Sequence, residues 1–143
     1  MVTTDHSPCP PEMKRRDPGR WDLAWGGIAS LGLALSVLWT GMHERGIGVE
    51  RIAEWMAAAP AKLAGREARK GALAPGADPD FAVFDTEAAW TVTTNDLRFR
   101  HKFSPYLGAR LRGRVVETWL RGERIFANGQ VAGEAHGREL VRA

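Results

Sequence analysis

The sequence predicts two unlike parts, an α/β first half followed by an all-β second half. Three observations support this. A short β-branched stretch, "VTT", is followed by apolar stretches at helical spacing as far as residue 65. Turn signals then multiply in "KGALAPGADPDFAVFD", and "RVVETWLRGERIFANG" has the pattern of a hairpin. We therefore divide the chain into domains at 1–66 and 67–143. We also expect an incomplete fold in a lone chain, because a single buried strand leaves backbone groups unpaired.

Composition and charge exclude several classes of protein. The 143 residues suit one ordinary domain, and 44% hydrophobic with 26% charged residues is typical of a globular chain. The net charge of +3 is too small to indicate a partner. A single cysteine, Cys9, excludes an internal disulfide framework and a multi-cysteine zinc site. It suits a reducing compartment, and we expect a cytoplasmic protein.

The most apolar segment, residues 24–42, raises the alternative of a membrane span. It contains four glycines, two serines and a threonine, and charged residues flank it. A helix starting after Gly27 has only about 15 residues before Met42, short of the roughly 20 that cross a bilayer. We expect no membrane partner and predict a buried helix in a larger protein.

The first half divides into predicted elements at its prolines and glycines. Pro60 stops one helix and can open the next as its first residue, and Gly65 is suited to ending it. The elements are a strand over 2–5, a long loop over 7–22, a helix over 28–43, a helix with its apolar face at 49–56, and a short helix to 65.

The second half is predicted to consist of short strands joined by turns. Gly122-Glu123 fits a tight hairpin turn and Asn128-Gly129 a second one. The predicted strands are Phe81–Asp85, Ala89–Val92, Val115–Leu120 and Arg124–Ala127. A basic, irregular loop over 94–113 lies between them, and the last ten residues read as a polar tail.

Several motifs together carry a family resemblance. "VTTDHSPCPPEMK", "WDLAWGGIASLGLALSVLW", "MAAAPAKLAG", "KGALAPGADPDFAVFD" and "HKFSPYLGARLRGRVVETWLRGERIFANG" follow one another in this order. In this order and spacing they resemble the C-terminal third of an allantoinase. Allantoinases are cyclic amidohydrolases, with hydantoinases, dihydropyrimidinases and dihydroorotases. The resemblance covers residues 2–133, and "DHSP" with "WGGI" favours allantoinase over its relatives.

The resemblance implies a fold and a missing portion. It implies the last strand and helices of a (β/α)₈ TIM-type barrel, followed by the C-terminal part of a small β-sandwich. Residues 2–5 would be the eighth barrel strand, whose neighbours belong before residue 1. A start codon assigned at an internal Met, a truncated gene or a split gene would account for this. Asp5 would then lie at the end of a barrel strand where such barrels keep their active sites.

Asp5 is the candidate catalytic residue and metal ligand. Opening a cyclic amide needs an activated water, which a divalent metal supplies, and a carboxylate that passes a proton to the leaving nitrogen. The resemblance implies both roles for Asp5. The alternative is that Asp5 only caps the turn at Ser7-Pro8. His6 would point to the opposite face of the strand, so we interpret it as a supporting or packing histidine.

The implied metal site is incomplete in this chain. In the resembled family a two-metal site holds Zn²⁺ or another divalent metal, with a His-x-His pair, a carboxylated lysine and two further histidines upstream. This chain has no His-x-His or His-x-x-x-His spacing. We therefore expect weak metal binding and no hydrolysis by the chain alone.

Gly26 and Gly27 are the candidate substrate-binding residues. The functional interpretation is that their backbone amides face the substrate ring at a helix N-terminus. The alternative is a tight loop-to-helix turn that needs small residues. The tryptophans are expected in the core, with Trp25 alone bordering a pocket.

Two basic stretches raise the question of a nucleic-acid partner. They comprise Lys14, Arg15, Arg16 and Arg20, and then Arg98, Arg100, Lys102, Arg110, Arg112 and Arg114. Acidic residues intervene and no nucleic-acid motif occurs, so we interpret them as solvated loops and expect no nucleic acid. The expected partners are a small cyclic amide and the missing N-terminal barrel portion, and a homo-oligomer is possible.

The predicted function is that of a C-terminal part of an allantoinase-like metal-dependent hydrolase, which opens the ring of allantoin. One alternative keeps the mechanism and changes the ring to hydantoin, a dihydropyrimidine or dihydroorotate. A different class of function is a non-catalytic remnant that serves as a binding or assembly module.

Overall fold

The computed structural model describes residues 1–14 and 19–141. The predicted loop over 7–22 and the predicted tail therefore lie partly outside the described residues. Arg15 and Arg16 of the first basic stretch lie wholly outside them. The α- and π-helical segments are α1 (Ala34–His43), α2 (Glu50–Ala53), a π-helical turn (Glu54–Ala58) and α3 (Ala59–Leu63). Short 3-10 turns lie at Pro11–Lys14, Trp21–Leu23 and Thr94–Asp96. The strands are β1 (Phe81–Thr91), β2 (Arg110–Leu120), β3 (Glu123–Ala127) and β4 (Gln130–Val131).

The strands form one antiparallel sheet in the order β1-β2-β3-β4. The predicted hairpin is confirmed. The two strands predicted at 81–85 and 89–92 are a single strand, because an irregularity between Asp85 and Ala89 shifts the register without ending the pairing with β2. The interpretation of 94–113 as irregular is wrong over its last four residues, since β2 begins at Arg110.

Both hairpin turns use the left-handed backbone conformation that two-residue turns require. Asn128 and Gly129 have φ of 52° and 77°, which confirms the predicted second turn. The first turn lies one residue earlier than predicted. Leu120 pairs with Glu123, so Arg121 and Gly122 form the turn, with φ of 49° and 82°.

The helix predicted over 28–43 begins later, at Ala34. Gly32 has φ of 84°, outside the right-handed helical region, so the residues before it cannot continue the helix. α1 then ends at His43, as predicted.

Pro60 does not stop the second helix as predicted. Residues 50–63 are helical throughout, and a π-helical turn directly precedes the α-helical turn that contains Pro60. Proline has no N–H to donate within a helix. The wider π-helical turn lies just before Pro60, where the regular α-helical hydrogen bonds are interrupted. Gly65 is confirmed as the stop. Its φ is 64°, and hydrogen bonds from the Gly65 and Arg66 N–H groups to Lys62 and Ala61 close the helix end.

The strand predicted over 2–5 is not formed. Strand pairing here is limited to an isolated parallel bridge between His6 and Ile28. Among the described residues no strand lies beside residues 2–5, so their backbone has no ladder to join. The Val2 N–H instead donates to the Trp55 carbonyl at 3.0 Å.

Two small hydrophobic clusters pack around α1, one between its start and the sheet and the other between α1 and α2. Leu33, Val92, Leu97 and Leu111 form one cluster, and Trp39, Met42 and Ile52 form the other. The Trp39 indole also donates to the Thr86 carbonyl at 3.0 Å. The chain exposes 9951 Å². A compact protein of 15.7 kDa exposes about 7,300 Å². The chain therefore exposes much more surface than a compact protein of the same mass.

None of the helices in the described parts of the chain has the length and apolar character needed to cross a membrane.

Candidate functional site

Asp5 has a left-handed backbone conformation and a free carboxylate. Its φ is 44°, which is uncommon outside glycine although aspartate tolerates it better than most residues. The residue is exposed, and its carboxylate has no hydrogen-bond or ion-pair partner among the described residues. Such a conformation costs energy and persists only where the surrounding structure imposes it, which is common at functional positions.

The neighbouring segment around Ile28 fixes the backbone of Asp5. The Ile28 N–H donates to the Asp5 carbonyl at 2.9 Å, and the Ser7 N–H donates to the Ile28 carbonyl at 3.1 Å. Two chain segments more than twenty residues apart are thereby held side by side. The bridge brings Asp5 next to the loop that contains Gly26 and Gly27.

His6 supports this bridge. Its Nδ1 accepts hydrogen bonds from the N–H groups of Ser30 at 3.1 Å and Leu31 at 2.9 Å. Its ring meets the edge of Phe99, with centroids 5.0 Å apart. An Nδ1 that accepts two hydrogen bonds carries no proton, so the ring cannot offer that atom elsewhere. The supporting role expected for His6 matches these contacts.

Gly27 is required by its surroundings. Its φ is 73°, and a Cβ there would lie 2.9 Å from the Asp5 carbonyl oxygen and closer still to the Ser7 side chain. Gly26 differs, because its φ is not in the left-handed region and no atom lies within 4 Å of where its Cβ would stand. The close packing therefore explains one glycine of the pair and leaves the other facing open space.

Trp25 anchors the start of the glycine loop. Its N–H donates to the Met13 carbonyl at 2.9 Å, and its indole Nε1 donates to Ser7 Oγ at 2.8 Å. The side chain remains nearly half exposed. Trp25 thus lies beside Ser7 and outside both buried clusters.

Lys14 holds the carbonyl side of the loop. Its Nζ donates to the carbonyl oxygens of Trp25, Gly26 and Gly27 at 2.9, 3.3 and 2.7 Å. A cavity of about 270 Å³ borders the loop, lined by Lys14, Gly27, Ile28, Ala29, Phe103 and Pro105. In the sequence Lys14 belongs to the first basic stretch and has no other distinguishing pattern. Its contacts span 11 to 13 residues, and no local pattern indicates them.

The glycine pair is not at a helix N-terminus, contrary to that part of the prediction. α1 begins at Ala34, seven residues after Gly27. Gly32 and the turn before α1 separate the pair from the helix. Any recognition by this loop therefore comes from individual backbone groups and owes nothing to a helix dipole.

The described residues do not fit a metal site by themselves. Among residues 1–14 and 19–141, no three His, Cys, Asp or Glu side chains are grouped so that they could hold a metal ion. A catalytic zinc usually takes three protein ligands. Asp5 offers one carboxylate, and the Nδ1 of His6 is already engaged by backbone N–H groups.

The second basic stretch is largely engaged within the chain. Arg112 pairs with Glu87, and Arg114 pairs with Asp96 at 3.2 Å and lies over the Trp90 ring. Arg98 and Lys102 donate to backbone carbonyls. The structure thus gives these cations partners inside the protein.

No protein-family model matches the chain, but it is similar over nearly its whole length to allantoinases. The chain is 43% identical over 141 residues to an allantoinase from Streptomyces avermitilis, covering 99% of this chain and 31% of that protein. It is 39% identical over 139 residues to an allantoinase from Arabidopsis thaliana, covering 96% and 27%. This chain is homologous to the C-terminal portion of allantoinases.

Solved structures agree with this allantoinase homology. The chain superposes on an L-hydantoinase (dihydropyrimidinase) from Arthrobacter aurescens with a TM-score of 0.73 and 32% identity, covering 80% of this chain and 26% of that one. The chain therefore spans about a third or less of the length of its allantoinase and hydantoinase relatives.

Proposed function

We propose that this chain forms the C-terminal portion of an allantoinase-like, metal-dependent hydrolase that opens the cyclic amide ring of allantoin. The observation that carries the proposal is the 43% identity to the Streptomyces allantoinase over 99% of the chain. The bridge that sets Asp5 beside the glycine loop supports it, because it combines an unpaired carboxylate with unhindered backbone groups.

In this proposal residues 1–66 are the end of the catalytic barrel and residues 67–143 are the C-terminal share of a β-sandwich. The helical character of the first part and the antiparallel sheet of the second support the division. The surface in excess of a compact domain supports the need for an N-terminal barrel portion to cover it.

Asp5 contributes one carboxylate to the proposed site. An exposed carboxylate without a partner is free to accept a proton from a reacting water and to return it to a leaving nitrogen. Zn²⁺ or another divalent metal, if bound by the complete enzyme, would activate that water. Because the described residues do not form a metal site, the other ligands would have to come from the N-terminal portion.

The ring specificity has one rival. The likeness to an L-hydantoinase (dihydropyrimidinase) at 32% identity favours hydantoin or a dihydropyrimidine as the alternative substrate class. The chemistry would be unchanged, so substrate comparison is the way to separate the two.

A chimera tests the proposal. The C-terminal 31% of the Streptomyces allantoinase, which this chain matches, is replaced by residues 2–141 of this chain. The purified chimera is assayed with zinc or manganese on allantoin, hydantoin, dihydrouracil and dihydroorotate. The chain alone and an Asp5→Asn chimera are the controls. We expect allantoin hydrolysis by the chimera and none by either control.

Two other outcomes would change the conclusion. A folded chimera that hydrolyses hydantoin or dihydrouracil but not allantoin would reassign the substrate. A folded, metal-loaded chimera inactive on all four rings would overturn the hydrolase proposal and favour a non-catalytic binding or assembly module.

A further inference from the structure

The glycine loop is polarised, with its carbonyl groups on one side engaged by a single cation. Lys14 Nζ contacts three successive carbonyl oxygens, those of Trp25, Gly26 and Gly27. Hydrogen bonds from an ammonium group are stronger than neutral ones, and three of them converge here. These carbonyls are therefore poor acceptors for a ligand, since each is already bound by a full positive charge.

The N–H groups of the same loop are divided differently. The Trp25 N–H is bound to Met13 and the Ile28 N–H to Asp5. Between them, the N–H groups of Gly26 and Gly27 have no acceptor among the described residues. Gly26 is exposed, and the space beside its Cα is open for 4 Å. The loop thus offers two adjacent donors and no free acceptor among its glycine carbonyls.

We propose that Lys14 is a positioning residue that sets this polarity, so that the Gly26–Gly27 loop recognises a hydrogen-bond acceptor, namely a carbonyl oxygen of a cyclic ureide. This inference rests on the proposed function for the identity of the ligand.

Placement next to Asp5 makes the recognition useful. Gly27 packs against the Asp5 carbonyl, and the Ile28 N–H binds that same oxygen. A ring held through its carbonyl oxygen at Gly26 and Gly27 would lie close to the Asp5 residue. Lys14 would act on the reaction only through the loop, by keeping its donors turned outward.

The first test measures binding without catalysis, on the full 143-residue chain labelled with ¹⁵N-glycine. Hydantoin is the probe, because its ring offers carbonyl oxygens. We expect the Gly26 and Gly27 amide resonances to shift on titration. In Lys14→Met the shift should fall at least fivefold, while Lys14→Arg, which keeps the charge, should restore part of it. Lys62→Met, at an exposed lysine on α3, is the matched control and should behave as the unaltered chain.

Failure of this test is separable from failure of the proposed function. Glycine amides that do not respond to hydantoin in the unaltered chain, or that respond equally in Lys14→Met, would overturn the inference whatever the chimera does. In an active chimera, Lys14→Met should raise KM for allantoin about tenfold with a smaller change in kcat, and Lys14→Arg should recover part of the loss. An unchanged KM would also overturn it.

Discussion

Gly27 packs directly against Ser7, leaving no room for a side chain between them. The contact locks the glycine loop onto the segment that carries Asp5. A Cβ at residue 27 would collide with Ser7, and its φ of 73° would add about 1–2 kcal/mol of backbone strain.

The glycine pair therefore predicts unequal effects of the same substitution. Gly27→Ala should lower the free energy of unfolding by about 2 kcal/mol or more, since clash and strain add. Gly26→Ala should change it by less than about 0.5 kcal/mol, because its φ is ordinary and the space is open. Urea denaturation of the full chain measures both. Equal effects of the two substitutions would show that the loop is not packed as described.

Asp5→Asn should remove activity without affecting stability. In an active chimera we expect a loss of at least about 100-fold in kcat, because the amide cannot accept a proton. The melting temperature of the chain alone should stay within about 1 °C, since the carboxylate has no partner among the described residues. Asp22→Asn is the control. Asp22 is an exposed aspartate whose carboxylate pairs, among the described residues, with Arg20 alone, and we expect unchanged activity there. Retained turnover in Asp5→Asn would end the assignment of Asp5.

Local patterns predicted the second half of the fold better than the first. The hairpin and the Asn128-Gly129 turn depend on residues next to one another, so their pattern is sufficient. The strand at 2–5 depends on a neighbouring strand, which a local β-branched pattern cannot supply. The start of α1 depends on the left-handed conformation of Gly32, which an apolar stripe does not reveal.

The residues of the candidate site also differ in whether the sequence predicts them. Asp5 and the glycine pair are predicted through a family resemblance and stay predictions, and the bridge to Ile28 brings them together. Lys14 was not found, because its three acceptors lie across a loop that holds no helical or strand spacing. Long-range contacts between irregular segments leave little periodic signal in a sequence.

His6 predicts a stability effect that depends on its acceptor nitrogen. His6→Phe keeps a ring against Phe99 but leaves the Ser30 and Leu31 N–H groups without their acceptor. Ser30 is buried and Leu31 is exposed, so only the Ser30 N–H is shielded from water. One shielded, unsatisfied N–H costs about 1–3 kcal/mol, so we expect a loss near 2 kcal/mol in urea denaturation. His6→Asn, with an oxygen close to the Nδ1 position, should lose less.

His43→Phe is the matched control, because His43 is exposed at the end of α1. Its effect should stay within about 0.5 kcal/mol. A His6→Phe chain as stable as the unaltered one would mean that these two hydrogen bonds contribute nothing.

The ion pairs that Lys70 makes just before β1 predict a pH range in which the fold keeps its stability. Lys70 pairs with Asp78 at 2.8 Å and with Asp80, and the Arg121 N–H donates to Asp80. Hydrogen bonds from Lys70 and Arg69 lower the pKa of Asp78. Burial alone raises the pKa of Asp80, but Lys70 and the Arg121 N–H lower it to a net downward shift. Hydrogen bonds to both carboxylates raise the pKa of Lys70.

The signs of these shifts fix the direction of the effect. A carboxyl group whose pKa is lowered by folding stabilises the fold at pH values above its unfolded pKa of about 4. That stabilisation is lost as the pH falls. A lysine whose pKa is raised by folding stabilises the fold at pH values below its unfolded pKa of about 10.4. That stabilisation is lost as the pH rises. The melting temperature should therefore hold between about pH 5 and 10 and fall on both sides. Lys70→Met should weaken the acid limb and remove the lysine's share of the alkaline one, and an unchanged profile would contradict this. Lys62→Met is the control.

The close packing around Gly113 predicts a loss of stability on substitution, and its size reports how tightly α1 packs on the sheet. Its φ is 82°, and a Cβ there would lie 2.6 Å from Trp39 Cδ1 and would overlap the Phe84 ring. Gly129, in the second hairpin turn, has a similar φ of 77° but nothing within 4 Å. Alanine at either position pays the same backbone strain, so the difference between them measures packing alone. We expect Gly129→Ala to cost about 1 kcal/mol and Gly113→Ala at least about 2 kcal/mol more in urea denaturation. Adding Phe84→Leu should recover part of the Gly113→Ala loss, because a smaller side chain yields space. Equal losses at the two glycines would mean that α1 does not pack against β2 as the structure has it.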